Sequence, residues 1–271
     1  MHQPNRTSFC GLPAYTFTCA SARFRVGVQV LAIAMICIPM LSKPAGAQNR
    51  DMTKADVDRL YKELSNWGRW GKEDQLGTLN LITPQKRVQA ASLVREGISV
   101  SLARNVEKMA AADNNSPFQH RMLATGEGEG NQWVMDQFTV SYHGFAHTHM
   151  DSLCHLLHDG KMYNGFSQRE ITSAGAGKLS IHQVKSGIFT RAVLIDIPRL
   201  RGVKYLEPGS AIYPEELEAW ENRAGVKVGS GDVLLIRTGK WARRDEKGAW
   251  DTGKDGLPGL HASCAKWLRT R

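Results

Sequence analysis

The sequence predicts a single domain of the α/β (α+β) class, in which buried strands alternate with amphipathic helices. Two apolar runs, residues 192–197 and 233–236, are continuous rather than alternating, as in strands that are covered on both faces. Between them, residues 213–223 have helical character, with Pro214 near the start and Gly225 just past the end. Strands interleaved with helices are typical of this class, and no internal repeat or linker divides residues 48–271.

The elements that precede these strands follow from local patterns. Residues 51–65 carry apolar side chains at helical spacing and predict an amphipathic helix. Thr83 followed by Pro84 is typical of a helix start, and this helix is predicted to reach about residue 95. Residues 98–102 and 133–142 are predicted as strands, whereas the polar, glycine-rich residues 105–131 are predicted as mobile loops. Residues 260–271 are predicted as one helix.

Composition and charge exclude several classes of protein. Hydrophobic residues make up 42% and charged residues 23% of the 271, so the chain is neither disordered nor fibrous. The formal net charge is +9, but residues 1–47 carry four basic residues and no acid. The remaining chain has only a small basic surplus and no run of lysine or arginine. We therefore expect no nucleic-acid partner.

The N-terminal 47 residues are predicted to be a targeting segment. Residues 26–41 are largely apolar, Arg23 and Arg25 precede them, and Ala45-Gly46-Ala47 follows. This arrangement is typical of a secretory signal cleaved before Gln48, which implies export, with the bacterial periplasm as the expected location. The alternative is an uncleaved anchor in the inner membrane, although the apolar stretch is short for a spanning helix. We expect no other contact with a membrane.

Cysteine usage agrees with a domain that needs no disulfide framework. Only Cys154 and Cys264 lie beyond the targeting segment. A single bridge between them stays open at this point, but two buried thiols are the preferred interpretation.

A histidine-rich segment carries the clearest chemical signal. Five of the nine histidines fall between positions 143 and 158, namely His143, His147, His149, His155 and His158. In an extended strand, alternate side chains share a face, so His147, His149 and Asp151 are predicted to converge. Two imidazoles and a carboxylate suit a divalent cation such as Zn²⁺ or Mn²⁺. The alternative, a solvated loop with hydrogen-bonded histidines, explains this density of histidines less well.

Two motif families compete for this segment, and an HxHxD run is typical of the first of them. The metallo-β-lactamase type has a further histidine directly after the aspartate, where this chain has Ser152. Residues 145–155 more closely resemble the HxGTHxDxPxH motif of the bacterial cyclase-like family of metal-dependent hydrolases, which includes kynurenine formamidase and isatin hydrolase. Thr148, His149, Asp151 and His155 all match that motif.

The chain departs from the motif at three positions. Leu153 replaces the proline, Phe145 occupies the slot of the first histidine, and His147 occupies that of the glycine. The first metal ligand therefore stays open between His147 and His143, which share the same strand parity. The resemblance extends over residues 55–271 and includes residues 67–70, 79–84, 159–165 and 258–261.

The resemblance implies a swivelling β/β/α domain that assembles as a homo-oligomer. It also implies metal-dependent hydrolysis of a small aryl amide such as N-formylkynurenine, an arylformamidase reaction of tryptophan catabolism through kynurenine. His155 is expected to carry a proton between nucleophile and leaving group. The predicted substrate-binding residues are Trp67, Trp70, His158 and Tyr163.

Members of this family generally continue for some tens of residues beyond the position that corresponds to residue 271. That part normally supplies a further histidine and an acidic residue to the metal site. The resemblance thus predicts a C-terminally shortened domain. It leaves a second function open, that of a catalytically inactive exported relative or a metal- or ligand-binding protein.

Overall fold

The computed structural model describes residues 51–130 and 132–271, so the predicted targeting segment lies outside the described residues. The helices are α1 Lys54–Glu63, α2 Pro84–Ala91, α3 Ile197–Arg201, α4 Pro214–Ala224, α5 Lys240–Lys247, α6 Thr252–Asp255 and α7 Cys264–Arg269. The strands are β1 Gln119–Ala124, β2 Met135–Thr139, β3 Ile171–Thr172, β4 Gly175–Ala176, β5 Ala192–Asp196, β6 Ala211–Ile212, β7 Val233–Arg237 and β8 Gly259–Leu260.

The strands form four two-stranded ladders. β1 pairs with β2 and β3 with β4 in antiparallel fashion, whereas β5 pairs with β7 and β6 with β8 in parallel. The two apolar runs that predicted buried strands are thus neighbours in one parallel ladder, connected through α3 and α4. This confirms the predicted α/β class.

The main hydrophobic core lies around β5 and helices α3, α4 and α7. Its fully buried aliphatic side chains include Ile195, Ile197, Ile212 and Leu217. α4 begins at Pro214 and stops at Gly225, whose φ of +64° is readily adopted only by glycine, so both predicted boundary signals are confirmed.

The first two helices also match their sequence signals. In α1, Thr53 and Asp56 form a reciprocal capping box. In α2, Thr83 Oγ1 accepts a hydrogen bond from Lys86 N at 3.1 Å. α2 ends at Ala91 rather than near residue 95, because the apolar side chains of the next turn, Leu93 and Val94, are exposed and have no core to pack against.

Besides the end of α2, three further predictions of secondary structure do not hold in this part of the fold. Residues 98–102 form no strand, since no neighbouring strand pairs with them and their apolar side chains are exposed. β1 lies within residues 105–131, which were predicted as loops; both faces of the β1–β2 hairpin are largely exposed, so no apolar alternation marks it. Residues 260–271 are not one helix, because Leu260 belongs to β8 and α7 begins only at Cys264.

A buried carboxylate ties α2 to the parallel ladder. The Asp232 side chain is fully buried and accepts hydrogen bonds from Lys86 Nζ at 2.6 Å, from Gly229 N at 2.8 Å and from Arg191. Burial alone would raise the pKa of Asp232, but these hydrogen bonds together outweigh it and lower the pKa to about 2.

The cysteines of the described residues agree with a domain that has no disulfide framework. Cys154 and Cys264 are buried free thiols, as preferred from the sequence. None of the helices in this part of the chain has the length and apolar character needed to cross a membrane.

Candidate metal centre

The histidine-rich segment is a bent loop and not the extended strand that the sequence predicted. Residues 143–147 form a continuous bend, referred to below as the histidine loop. Gly144 has a φ of +116°, a conformation that side-chain-bearing residues rarely adopt, and so it turns the chain directly after His143. The period-two alternation that would have aligned His147 with His149 and Asp151 therefore does not apply.

The bend brings His143 to the carboxylate of Asp151. His143 Nδ1 lies 3.0 Å from Asp151 Oδ1, and His149 Nε2 lies 3.4 Å from the same oxygen. The ring of His155 is 4.3 Å from that of His143, measured between centroids. His143, Asp151 and His155 each offer one ligand atom, and these atoms all lie within 4.8 Å of one another.

The orientation of His149 suits a metal ligand. Its Nδ1 lies 2.9 Å from the carbonyl oxygen of His147, which can only accept, so Nδ1 donates and Nε2, which faces Asp151, is the ring nitrogen available to an ion. Metal-binding histidines commonly donate their other ring N–H to a backbone carbonyl in this way. His143, His149, Asp151 and His155 form what is called the metal cluster below.

The structure does not bring His147 into the metal cluster. This side chain is only 8% exposed, and among the described residues neither of its ring nitrogens has a hydrogen-bond partner. It contributes instead to the wall of a polar cavity of about 270 Å³. Of the two candidates for the first ligand, the geometry therefore favours His143.

Two cavities adjoin the metal cluster. The polar one is lined by His143 and His147 together with Asp113, Asn114 and Ser116, among others. The second, of about 430 Å³, is more apolar, and His155 lies in its wall beside Tyr142, Met150, Cys154, Ile171 and Ile181. A small molecule in the second cavity would therefore have an apolar surround and the His155 imidazole within reach.

The predicted substrate-binding residues lie in neither cavity. His158 stacks on the ring of Tyr61 at 3.9 Å, and Trp70 lies beneath the guanidinium of Arg69 at 4.6 Å. Tyr163 Oη donates to Asp74 Oδ2 at 2.8 Å; burial and this bond raise the pKa of Tyr163. Trp67 is exposed.

One residue at the histidine loop was missed by sequence reasoning. Lys240, the first residue of α5, is half-buried, and its Nζ donates a hydrogen bond to the carbonyl oxygen of Phe145. Burial lowers the pKa of Lys240. The available signal was its position just after β7, because sites in α/β folds lie beyond the carboxyl ends of parallel strands.

Comparisons with known proteins agree with this architecture. A solved structure described as a crystal structure of a novel cyclase has a TM-score of 0.68 and 28% sequence identity, and the match covers 78% of this chain and 73% of that one. A comparison with curated proteins finds no match. The family model described as "Putative cyclase" matches residues 97–271, which include the metal cluster and the parallel ladder. The chain therefore belongs to the cyclase family.

Proposed function

We propose that this protein is a metal-dependent hydrolase that cleaves the C–N bond of a small amide, with N-formylkynurenine as the first substrate to test. The observation that carries the proposal is the convergence of His143, Asp151 and His155, with His149 alongside, next to a mainly apolar cavity. Membership of the cyclase family supports an enzymatic role.

The donor set fits a divalent cation. Imidazole nitrogens and a carboxylate oxygen are ligands that Zn²⁺ and Mn²⁺ both accept. When bound, such an ion lowers the pKa of a water molecule towards about 7 and polarises a carbonyl oxygen. His143 and His149 would hold the ion through ring nitrogens, and Asp151 would hold it through the oxygen that both imidazoles approach.

His155 is assigned the proton transfer. It belongs both to the metal cluster and to the wall of the apolar cavity, so it can contact both an ion and a substrate. A positioned imidazole can take a proton from the attacking water and return it to the leaving nitrogen. The ring of Tyr142 and the side chains of Met150 and Ile181 offer apolar contacts for the aryl group of the substrate.

The test combines metal content with turnover. The full chain is purified, its bound metal is measured, and hydrolysis of N-formylkynurenine is followed with and without EDTA. We expect about one divalent ion per chain and turnover that EDTA abolishes and Zn²⁺ or Mn²⁺ restores. Turnover that is insensitive to EDTA would contradict the proposal.

A second function is favoured by Phe145, which stands where the cyclase motif has its first histidine. It is that of an exported relative that binds a metal or ligand without catalysis. Bound metal without turnover on amides or lactones would support it.

Two further proposals concern the whole protein. We propose export with cleavage before Gln48, which N-terminal sequencing of protein from the periplasmic fraction tests; a sequence that begins at Met1 would favour the anchor.

We also propose a homo-oligomer, for which light scattering should give a multiple of the chain mass.

A further inference from the structure

The first turn of α5 contacts the histidine loop through one cation. Lys240 Nζ donates to the carbonyl oxygen of Phe145. The same ammonium lies 4.3 Å from the ring of Trp241 and 5.9 Å from the rings of Phe145 and Trp250. Phe145 is thus held through both its carbonyl oxygen and its ring.

Lys240 differs from the other lysine of α5 in its surroundings. In the described part of the chain its ammonium forms no ion pair, whereas Lys247 pairs with Glu207 at 2.6 Å. A cation that is withdrawn from water loses hydration, and three aromatic faces with one carbonyl oxygen replace only part of it. This environment fixes the ammonium against the Phe145 carbonyl rather than leaving it free in solvent.

A second set of contacts connects the same helix to Thr148, the residue that follows the histidine loop. Arg104 N donates to Thr148 Oγ1 at 3.1 Å. The Arg104 guanidinium lies 4.2 Å from the ring of Trp241 and donates to Asp245 Oδ1 at 2.9 Å. Helix α5 therefore supports the loop at Phe145 and, through Arg104, supports the residue directly after the loop.

We propose that Lys240 is a positioning residue, which holds residues 143–147 in the bend that turns His143 towards Asp151. Gly144 lies between His143 and Phe145 and has no neighbouring atom that a Cβ would touch, so local packing does not fix this turn. The hydrogen bond to Phe145 does so instead. The consequence for metal binding rests on the proposed function, but the effect on the loop does not.

The test uses four variants of the full chain. Lys240→Met removes the donor and keeps the apolar stem. Lys240→Gln is a milder change that removes the positive charge and shortens the side chain by one atom, and Lys240→Arg restores a cationic donor. Lys247→Met on the same helix is the matched control. Hydrogen exchange of the peptide that contains residues 143–147 is measured on metal-free protein. Zn²⁺ affinity is measured by calorimetric titration, and overall stability by thermal unfolding.

We expect Lys240→Met and Lys240→Gln to exchange this peptide faster and to bind Zn²⁺ about 10- to 100-fold more weakly, the usual effect of losing a residue that orients ligands. Lys240→Arg should stay within about threefold of the native affinity, and Lys247→Met should match the native protein. Unchanged exchange in the Met and Gln variants would overturn the proposal, and so would faster exchange with unchanged affinity.

The two proposals fail separately. A native protein that binds neither Zn²⁺ nor Mn²⁺ would overturn the proposed function and the metal-binding role of Lys240. Exchange in the metal-free variants would still decide whether Lys240 holds the loop.

Discussion

At the scale of single residues, proximity to the carboxylate of Asp151 distinguishes His143 from His147. His143 lies 3.0 Å from Asp151, whereas the buried ring nitrogens of His147 have no partner among the described residues. His149 hydrogen-bonds to the backbone carbonyl of His147, so this orienting contact is independent of the His147 side chain.

We predict that His143→Ala lowers the affinity for Zn²⁺ and that His147→Leu does not. Loss of His143 removes a ligand and should lower Zn²⁺ affinity by about tenfold or more. His147→Leu replaces an unsatisfied buried polar group with an apolar one, so it should leave the affinity within about threefold and the unfolding free energy equal or higher. Calorimetric titration and urea unfolding measure the two quantities. A larger loss of affinity in His147→Leu than in His143→Ala would restore His147 as the first ligand.

At the scale of elements, the contact between α2 and the start of β7 depends on one ionised carboxylate, that of Asp232. Asp232 has a pKa of about 2 in the folded protein, below its ordinary value of 3.8. A carboxyl group whose pKa is lowered by folding stabilises the folded state at pH values above its ordinary pKa. This contribution is lost as the pH falls towards 2. The pH-dependent part amounts to about 2 kcal/mol.

We therefore predict that Asp232→Asn lowers the unfolding free energy at pH 7, and that its difference from the native protein shrinks between pH 5 and pH 2. Urea unfolding at several pH values measures this. The matched control is Asp159→Asn, since the Asp159 side chain is 89% exposed and lies 3.6 Å from His158 Nε2. A constant difference at all pH values would mean that Asp232 titrates normally.

Elements with a local signal could be predicted from the sequence, and elements that depend on distant partners could not. α4 has Pro214 and Gly225 at its ends, and α2 has Thr83 as its N-cap, so both starts were predicted correctly. Residues 98–102 alternate like a strand, but a strand exists only where another strand pairs with it. β1 was missed for the converse reason, since its pairing with β2 is visible only in three dimensions.

The candidate site was predictable in its composition but not in its geometry. The density of histidines and the HTHxD pattern identified the segment and the chemistry of its donors. The choice between His143 and His147 depends on the bend at Gly144 and on Lys240, which lies 95 residues from Phe145 in the chain. No local pattern contains that contact.

At the scale of the whole molecule, metal binding should be coupled to folding. Residues 143, 149 and 151, the proposed ligands, are brought together only in the folded chain, so an ion that they bind stabilises the folded state. At a free metal concentration of 100 times the dissociation constant, the stabilisation is about 2.7 kcal/mol. For a domain of this size, that raises the melting temperature by about 5 to 10 °C.

We predict that EDTA lowers the melting temperature of the native protein by this amount, and that excess Zn²⁺ or Mn²⁺ restores it. His143→Ala should show little of the shift, whereas Asp159→Asn should show all of it, because only the first residue belongs to the metal cluster. Scanning calorimetry measures the shift without any substrate, so it separates metal binding from turnover. If His143→Ala showed the same shift as the native protein, the ion would bind elsewhere. If the native protein showed no shift, neither a metal-dependent hydrolase nor a metal-binding relative would have a physical basis.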